Sequence, residues 1–212
     1  MNKLMKLVSI GTLALAATTA FAQMTATVYT GIPDPNNAID PLNISKSKGS
    51  ATFTLGSLGI DFQSQVGGYT LAGFLNNPTF SNITGTFTPN AANSANNIEL
   101  VISGSTFLNA GVNNLELAHD DGAVLSFMGG IGNVLNQPGP TSEVKSTFPV
   151  TAPTSGMYAF TLNYTECCGA PADLIFKVNG DSVGVTPEPS SFVLLGSGIL
   201  GVAGAIRRRF IA

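Results

Sequence analysis

The middle of the chain contains short runs in which every second residue is apolar. In the clearest run, four large apolar residues and a carboxylate lie two positions apart: Tyr158, Phe160, Leu162, Tyr164 and Glu166. Successive side chains of a β-strand point to opposite faces, so this spacing places all five on one face of a sheet. The middle of the chain shows no apolar period of 3.6 residues. The sequence therefore predicts an all-β fold.

Turn-forming residues separate these runs about every ten residues, a spacing typical of a single antiparallel β-sandwich or jelly-roll-like domain. The predicted strands are Thr25–Thr30, Ala51–Leu55, Gly67–Leu75, Ile83–Thr88, Ile98–Ile102, Leu115–Asp120, Ala123–Met128, Val144–Val150, Tyr158–Glu166 and Leu174–Val178. The predicted loops and turns include Gly31–Ser50, Asn90–Asn97 and Gly129–Thr141.

Residues 1–22 have the pattern of a secretory signal peptide. Lys3 and Lys6 precede the apolar stretch Leu7–Ala17, and Ala20 and Ala22 supply the small residues of an A-x-A cleavage pattern. We therefore expect signal peptidase to cut after Ala22 and the rest of the chain to be exported.

The C-terminal segment, residues 186–212, has three parts in a fixed order. They are a proline motif, an uncharged apolar run and an arginine cluster: Pro187-Glu188-Pro189, Phe192–Ile206, and Arg207, Arg208 and Arg209. A helix over the apolar run covers about 22 Å of the ~30 Å bilayer core, and an arginine cluster stays on the cytoplasmic side. The segment therefore predicts a short helix that anchors the chain transiently in the inner membrane.

This order of parts resembles the PEP-CTERM sorting signal of exopolysaccharide-producing bacteria. The resemblance implies that a membrane exosortase cuts near Pro187-Glu188-Pro189 and that the tail is discarded. We expect an exported protein of the cell envelope, cell surface or extracellular matrix, with signal peptidase and exosortase as processing partners. The predicted domain is residues 23–185.

The part between the signal peptide and the apolar run is acidic. It contains four lysines and all twelve acidic residues, a formal charge of about −8. Because it offers no basic patch, the sequence argues against nucleic acid as a partner. An acidic surface of this kind suits either solubility or the binding of a divalent cation.

The C-terminal half contains motifs in a recognisable order: Asp120-Asp121-Gly122, Gly156-Met157-Tyr158, Tyr164-Thr165-Glu166 and Gly169-Ala170. They resemble the protective-antigen type of carbohydrate-binding β-sandwich, found in bacterial toxins, glycosidases and yeast adhesins. Residues 25–110 match this pattern only loosely, and the usual tryptophans are absent.

In the lectin members of that family, two adjacent aspartates and an asparagine bind Ca²⁺, and the metal ligates two sugar hydroxyls. The resemblance implies that Asp120, Asp121 and Glu166 are Ca²⁺ ligands, with a cis peptide bond between the aspartates. Glu166 replaces the asparagine of the lectins, so the likeness supports Ca²⁺ more than sugar. The alternative is a turn whose aspartates bond only the backbone.

Cys167 and Cys168 are the two cysteines of the chain. In an oxidising compartment neither has another intrachain partner, so a vicinal disulfide, two free thiols and intermolecular bridges are the open alternatives. We favour the vicinal disulfide, which would stiffen the loop after Glu166.

The single histidine, His119, is in phase with Leu115 and Leu117 and points away from Asp120, which predicts a structural, partly buried imidazole. Without a second histidine or a Gly-x-Ser-x-Gly motif, a catalytic triad has no base. We therefore expect a non-enzymatic protein that associates with exopolysaccharide, by Ca²⁺-assisted glycan binding. One alternative is a purely structural matrix protein, and a weaker one is a glycan-active enzyme.

Overall fold

The computed structural model describes residues 24–33, 37, 44–55, 59–64, 69–75, 81–89 and 92–184. In chain order, these ranges contain β1 Thr25–Thr30, β2 Gly49–Thr54, β3 Asp61–Gln63, α1 Leu71–Phe74, β4 Ser81–Gly85, β5 Ile98–Leu108, β6 Gly111–Asp120, β7 Ala123–Phe127, β8 Gly132–Gln137, β9 Val144–Ala152, β10 Gly156–Glu166, β11 Asp173–Val178 and β12 Asp181–Ser182. The predicted all-β fold is confirmed.

The strands form two antiparallel sheets. One sheet has the order β4-β2-β1-β5-β10-β7-β8, and the other has the order β12-β11-β6-β9, with β3 also paired to β11. Strands β6 and β7 belong to different sheets, and so do β10 and β11. Asp120 is paired with Asp173, and Ala123 with Tyr164, so both crossings lie at the same end of the sandwich.

The core lies between the sheets and includes an aromatic cluster. Phe127 and Phe160 of the seven-stranded sheet contact Phe176 of the other sheet, with ring centroids 5.5 to 6.5 Å apart. Tyr158, Phe160, Leu162 and Tyr164 are all buried, as the period-two pattern of β10 predicted. Burial of these rings is the main favourable contribution that holds the sheets together.

The predicted strand Gly67–Leu75 is wrong in its described part, where the structure has helix α1. The Thr70 hydroxyl accepts a hydrogen bond from the Gly73 N–H, which is an N-cap. Leu71 and Phe74 are three residues apart and both are fully buried. Two apolar residues are too few to establish a helical period in the sequence, so tertiary packing decides the conformation.

The predicted loop Gly129–Thr141 contains an edge strand, β8, which pairs with β7. Only Leu135 of this strand is buried, so the run has no apolar alternation from which to predict it. The short strand β3 was also missed. It pairs with the start of β11, and its Phe62 packs edge-on against Phe74 of α1.

The first and last described residues of the domain lie side by side. The Gly184 Cα lies so close to the side chain of Met24 and the backbone of Gly59 that an added Cβ would collide with both, and its φ of +96° favours glycine. The Leu55 N–H donates to the Met24 carbonyl at 2.9 Å, which holds the start of the chain in place. The N- and C-terminal segments therefore leave the domain from neighbouring points.

The described ranges include no helix long and apolar enough to cross a membrane. The apolar run Phe192–Ile206, for which a membrane helix was predicted, lies outside the described residues, as do Ala20 and Ala22.

Replacing Phe160 by alanine should lower the free energy of unfolding by about 3–5 kcal/mol, because the ring fills the space between the sheets. Phe107→Ala is the matched control, since this ring is 50% exposed on the outside of the neighbouring strand β5. The control should change the value by less than about 0.5 kcal/mol. Urea unfolding followed by circular dichroism measures both. Equal losses for the two variants would contradict the assigned core.

Candidate metal centre

A cluster of three carboxylates occupies the end of the sandwich where both sheet crossings meet. Asp120 ends β6, Asp121 lies in the turn to β7, and Glu166 ends β10. One oxygen from each group lies within 4.8 Å of the others. The peptide bond between the two aspartates is cis. The structure therefore brings together all three residues that the sequence proposed as ligands.

The donor set fits a hard cation such as Ca²⁺. Oxygens that ligate one Ca²⁺ at about 2.4 Å lie at most about 4.8 Å apart, and one oxygen from each of the three carboxylates falls within that limit. All three side chains are buried, with Glu166 at 0% exposure and the aspartates at 7% and 5%. Buried like charges are costly unless a cation or protons compensate them.

Two tyrosines hydrogen-bond Glu166, the most deeply buried member of this cluster. The Tyr69 hydroxyl donates to Oε1 at 2.8 Å, and the Tyr164 hydroxyl contacts Oε2 at 2.7 Å. Burial raises the pKa of Glu166 to about 8; the two tyrosine hydrogen bonds lower it, and the charges of Asp121 and Asp120 raise it. Without a cation, Glu166 therefore carries a proton at neutral pH.

Tyr164 connects Glu166 to the turn that carries the aspartates. Its hydroxyl also bonds the backbone carbonyl of Asp120, so it contacts two acceptors while carrying one hydrogen. The Tyr164 hydroxyl lies within hydrogen-bonding distance of both Glu166 Oε2 and this carbonyl, and so links the end of β10 to the aspartate turn. Burial also raises the pKa of Tyr164, so it keeps its proton and remains a donor.

The two aspartates differ in their surroundings. Asp121 accepts backbone hydrogen bonds on both oxygens, from Thr141 N–H at 3.0 Å and from Cys167 N–H at 2.8 Å. Burial raises the pKa of Asp120 to about 6, and the charges of Asp121, Asp173 and Glu143 add to the effect. A cation bound between the carboxylates would reverse these shifts, because its charge favours the ionised forms.

The turn that carries the aspartates is packed tightly against the segment that follows β8. A Cβ on Gly122 would collide with the backbone carbonyl of Pro138, so glycine is required by space. The Gly122 carbonyl accepts a hydrogen bond from Thr165 N–H at 2.9 Å, which ties the turn to β10 beside Glu166.

Cys167 and Cys168 are joined by a disulfide directly after Glu166. Cys167 is buried and Cys168 is exposed. Both sulfur atoms lie within 4.8 Å of an Asp121 carboxylate oxygen, so the bond forms one side of the cluster. As half-cystines, they do not add thiolate ligands to it.

His119 lies under the turn and is fully buried, although the sequence predicted partial burial. Its Nδ1 lies 2.5 Å from the Asp121 carbonyl and its Nε2 lies 2.9 Å from Gln137 Oε1. The imidazole therefore supports the backbone of the aspartate pair and does not reach the carboxylate cluster, in agreement with a structural role.

Sequence reasoning missed three groups that hold the carboxylates: the Tyr69 hydroxyl, the Thr141 N–H and the Cys167 N–H. Tyr69 is 97 residues from Glu166 in the sequence, and no local pattern connects them. The Tyr164 hydroxyl was within reach of prediction, because Tyr164 and Glu166 are two residues apart on one face of β10.

Residues 185–209 match the PEP-CTERM protein-sorting motif, so the predicted sorting signal is confirmed. The chain is thus an exported, envelope-sorted protein processed by an exosortase. Pro187, Glu188, Pro189, Arg207, Arg208 and Arg209 lie within the match but outside the described residues. The cleaved bond and the membrane anchoring remain predictions.

The fold is similar to that of the PA14 domain of the MpAFP antifreeze protein, at 19% sequence identity and a TM-score of 0.53 over 79% of this chain and 94% of that one. The PA14 sugar-binding domain from an RTX adhesin aligns at 15% identity and a TM-score of 0.47, over 75% and 90%. That score is too low to support an argument. A search of curated protein sequences finds no match. The predicted likeness to the protective-antigen type of sandwich is confirmed at the level of fold.

The metal-free protein should lose stability as the pH rises from about 4.5 to 8. The folded pKa of Glu166 lies above its ordinary value of 4.5, so the folded state binds more protons and is favoured at low pH. Asp120 adds an effect of the same sign between its ordinary 3.8 and about 6. Glu166→Gln, which resembles the protonated side chain, should be more stable than wild type at pH 8.5, and the difference should shrink towards pH 5. Unfolding midpoints in chelator measure this. A constant difference across the range would contradict the assignment.

Proposed function

We propose that this exported protein is a binding protein whose sandwich domain attaches to polysaccharide of the envelope or extracellular matrix, with a Ca²⁺ ion held by Asp120, Asp121 and Glu166. The observation that carries the proposal is the convergence of these three carboxylates at one end of the fold. They come from both sheets and from two different crossings, and all three are buried.

The three carboxylates supply only part of a Ca²⁺ coordination shell, which takes six to eight oxygens. The remaining positions are available to loop carbonyls, water or two neighbouring hydroxyls of a sugar. Asp120 and Asp121 retain a small exposed fraction at the end of the sandwich, so an ion they bind lies close to the surface. A diol is the ligand chemistry that such an incomplete shell accepts.

Two further observations support a glycan as the partner. The sorting motif directs the chain to the envelope, where we propose that it meets polysaccharide. The domain also has a net negative charge, whereas the binding of nucleic acid or anionic lipid requires positive charge. A neutral or Ca²⁺-bridged polymer is compatible with this charge.

The burial of Glu166 favours a second candidate, a purely structural matrix protein. At 0% exposure, with both oxygens bonded to tyrosines, this carboxylate cannot contact a polymer itself. An ion at the site would then stabilise the fold without presenting a sugar.

Ca²⁺ should raise the thermal unfolding midpoint of the chelator-treated protein, since a ligand that binds only the folded state stabilises it by ~2.7 kcal/mol at 100-fold over Kd. The variant Asp120→Asn/Asp121→Asn should show no shift. Asp181→Asn is the matched control, an exposed acid at the sheet edge, and should respond as wild type does.

Absence of a shift in wild type, or an equal shift in the double variant, would remove the metal site. Mg²⁺ at the same concentration tests selectivity and should give a smaller shift, because Mg²⁺ requires a near-ideal octahedral shell with shorter metal–oxygen distances.

A glycan array probed with wild type should give signals that disappear in chelator and in Asp120→Asn/Asp121→Asn. Signals that survive chelation would place the glycan contact elsewhere. A Ca²⁺ shift with no glycan signal in any condition would favour the structural candidate.

A further inference from the structure

The disulfide lies between the two elements that carry the carboxylates. Cys167 follows Glu166 without a spacer, and its N–H donates to Asp121 Oδ2 at 2.8 Å. One peptide unit therefore joins the residue after β10 to the aspartate in the β6–β7 turn. Any movement of this unit changes the separation of Glu166 and Asp121.

The backbone beside this peptide unit adopts an unusual conformation. Cys168 has a φ of +64°, in the left-handed region that residues other than glycine rarely occupy. Gly169 follows with a φ of +118°, and its N–H donates to the Cys167 carbonyl at 2.7 Å. The covalent link between the two side chains is the constraint that holds Cys168 there. Without it, the Cys168 backbone is free to return to an extended or right-handed conformation, and the loop that presents the Cys167 N–H to Asp121 loses its covalent restraint.

The hydrogen bonds of a metal-binding carboxylate affect metal affinity strongly, because they fix its orientation. Asp121 has two such donors. The Thr141 N–H comes from a loop that is independent of the cysteines, whereas the Cys167 N–H depends on the disulfide loop. Loss of the second donor leaves Oδ2 without its backbone partner and Glu166 without a fixed neighbour.

We propose that the Cys167–Cys168 disulfide is a positioning element of the metal site, so that Ca²⁺ binds tightly only after the bond has formed. This inference rests on the proposed function, since it requires Asp120, Asp121 and Glu166 to hold the ion. The chain then leaves the cytoplasm as a dithiol with a weak site and gains its binding capacity after export.

In this proposal, the Cys167–Cys168 bond forms by thiol–disulfide exchange with an oxidising protein disulfide of the extracytoplasmic compartment. The two cysteine thiols lose two protons and two electrons to form the S–S bond, and the partner disulfide is reduced to a dithiol. The exposed Cys168 sulfur is the atom available for the mixed disulfide, while Cys167 is buried and resolves it.

The test measures Ca²⁺ affinity, by the midpoint shift or by calorimetry at pH 7, on the exported protein in three states: as purified, reduced with a phosphine, and reoxidised. Intact mass verifies each state by the gain or loss of two hydrogens. We expect reduction to raise the Ca²⁺ dissociation constant at least about tenfold. Reoxidation should restore the original value.

The variant Cys167→Ser/Cys168→Ser should bind Ca²⁺ as weakly as the reduced protein and should not respond to the phosphine. If this variant does not fold, reversible reduction of wild type still decides the matter. Because the cysteine variant has no disulfide to reduce, it also controls for effects of the phosphine on the assay.

A Ca²⁺ dissociation constant that is unchanged by reduction would overturn the proposal, even if the metal-free midpoint falls, because a lower midpoint alone reflects a merely structural bond. If the oxidised wild type binds no Ca²⁺, the proposed function itself fails. The two failures are distinguished by the oxidised sample alone.

Discussion

Three carboxyl groups buried at one end of the sandwich are the constraint around which the surrounding structure is arranged. A buried carboxylate is tolerated only if its oxygens are hydrogen-bonded and its charge is compensated. The hydroxyls of Tyr69 and Tyr164 hydrogen-bond Glu166, while backbone N–H groups donate hydrogen bonds to Asp121. Protonation of Glu166 provides compensation in the metal-free state, and a divalent cation would provide it in a bound state.

The sandwich architecture supplies these donors because several chain crossings meet at that end. The β6–β7 turn, the end of β10 and the start of β11 converge there, since the pairs β6–β11 and β7–β10 lie in opposite sheets. Helix α1 closes the core beside them, with Phe74 stacked on Tyr164 at a centroid distance of 5.4 Å. The orientation of Tyr164, one of the two tyrosines that bond Glu166, is therefore fixed by its packing in the core.

The sequence predicted what depends on local patterns. Strand β10 follows from its alternation, the turn at Asp121-Gly122 from its residue types, and the grouping of Asp120, Asp121 and Glu166 from a family likeness. Tyr69 could not be predicted as their partner, because its contact joins segments far apart in the chain. Helix α1 and strand β8 were missed for the opposite reason. Each has too few buried residues to show a period, and packing alone selects its conformation.

The proximity of Met24 and Gly184 has a mechanical consequence. If a membrane segment holds the C-terminal end, the domain is attached next to its own N-terminal end. It is then not stretched between two distant attachment points. A pull on either end is carried first by the contacts around Met24, Gly59 and the start of β1. The carboxylates lie on other elements, the ends of β6 and β10 and the turn between β6 and β7, so these contacts do not include them.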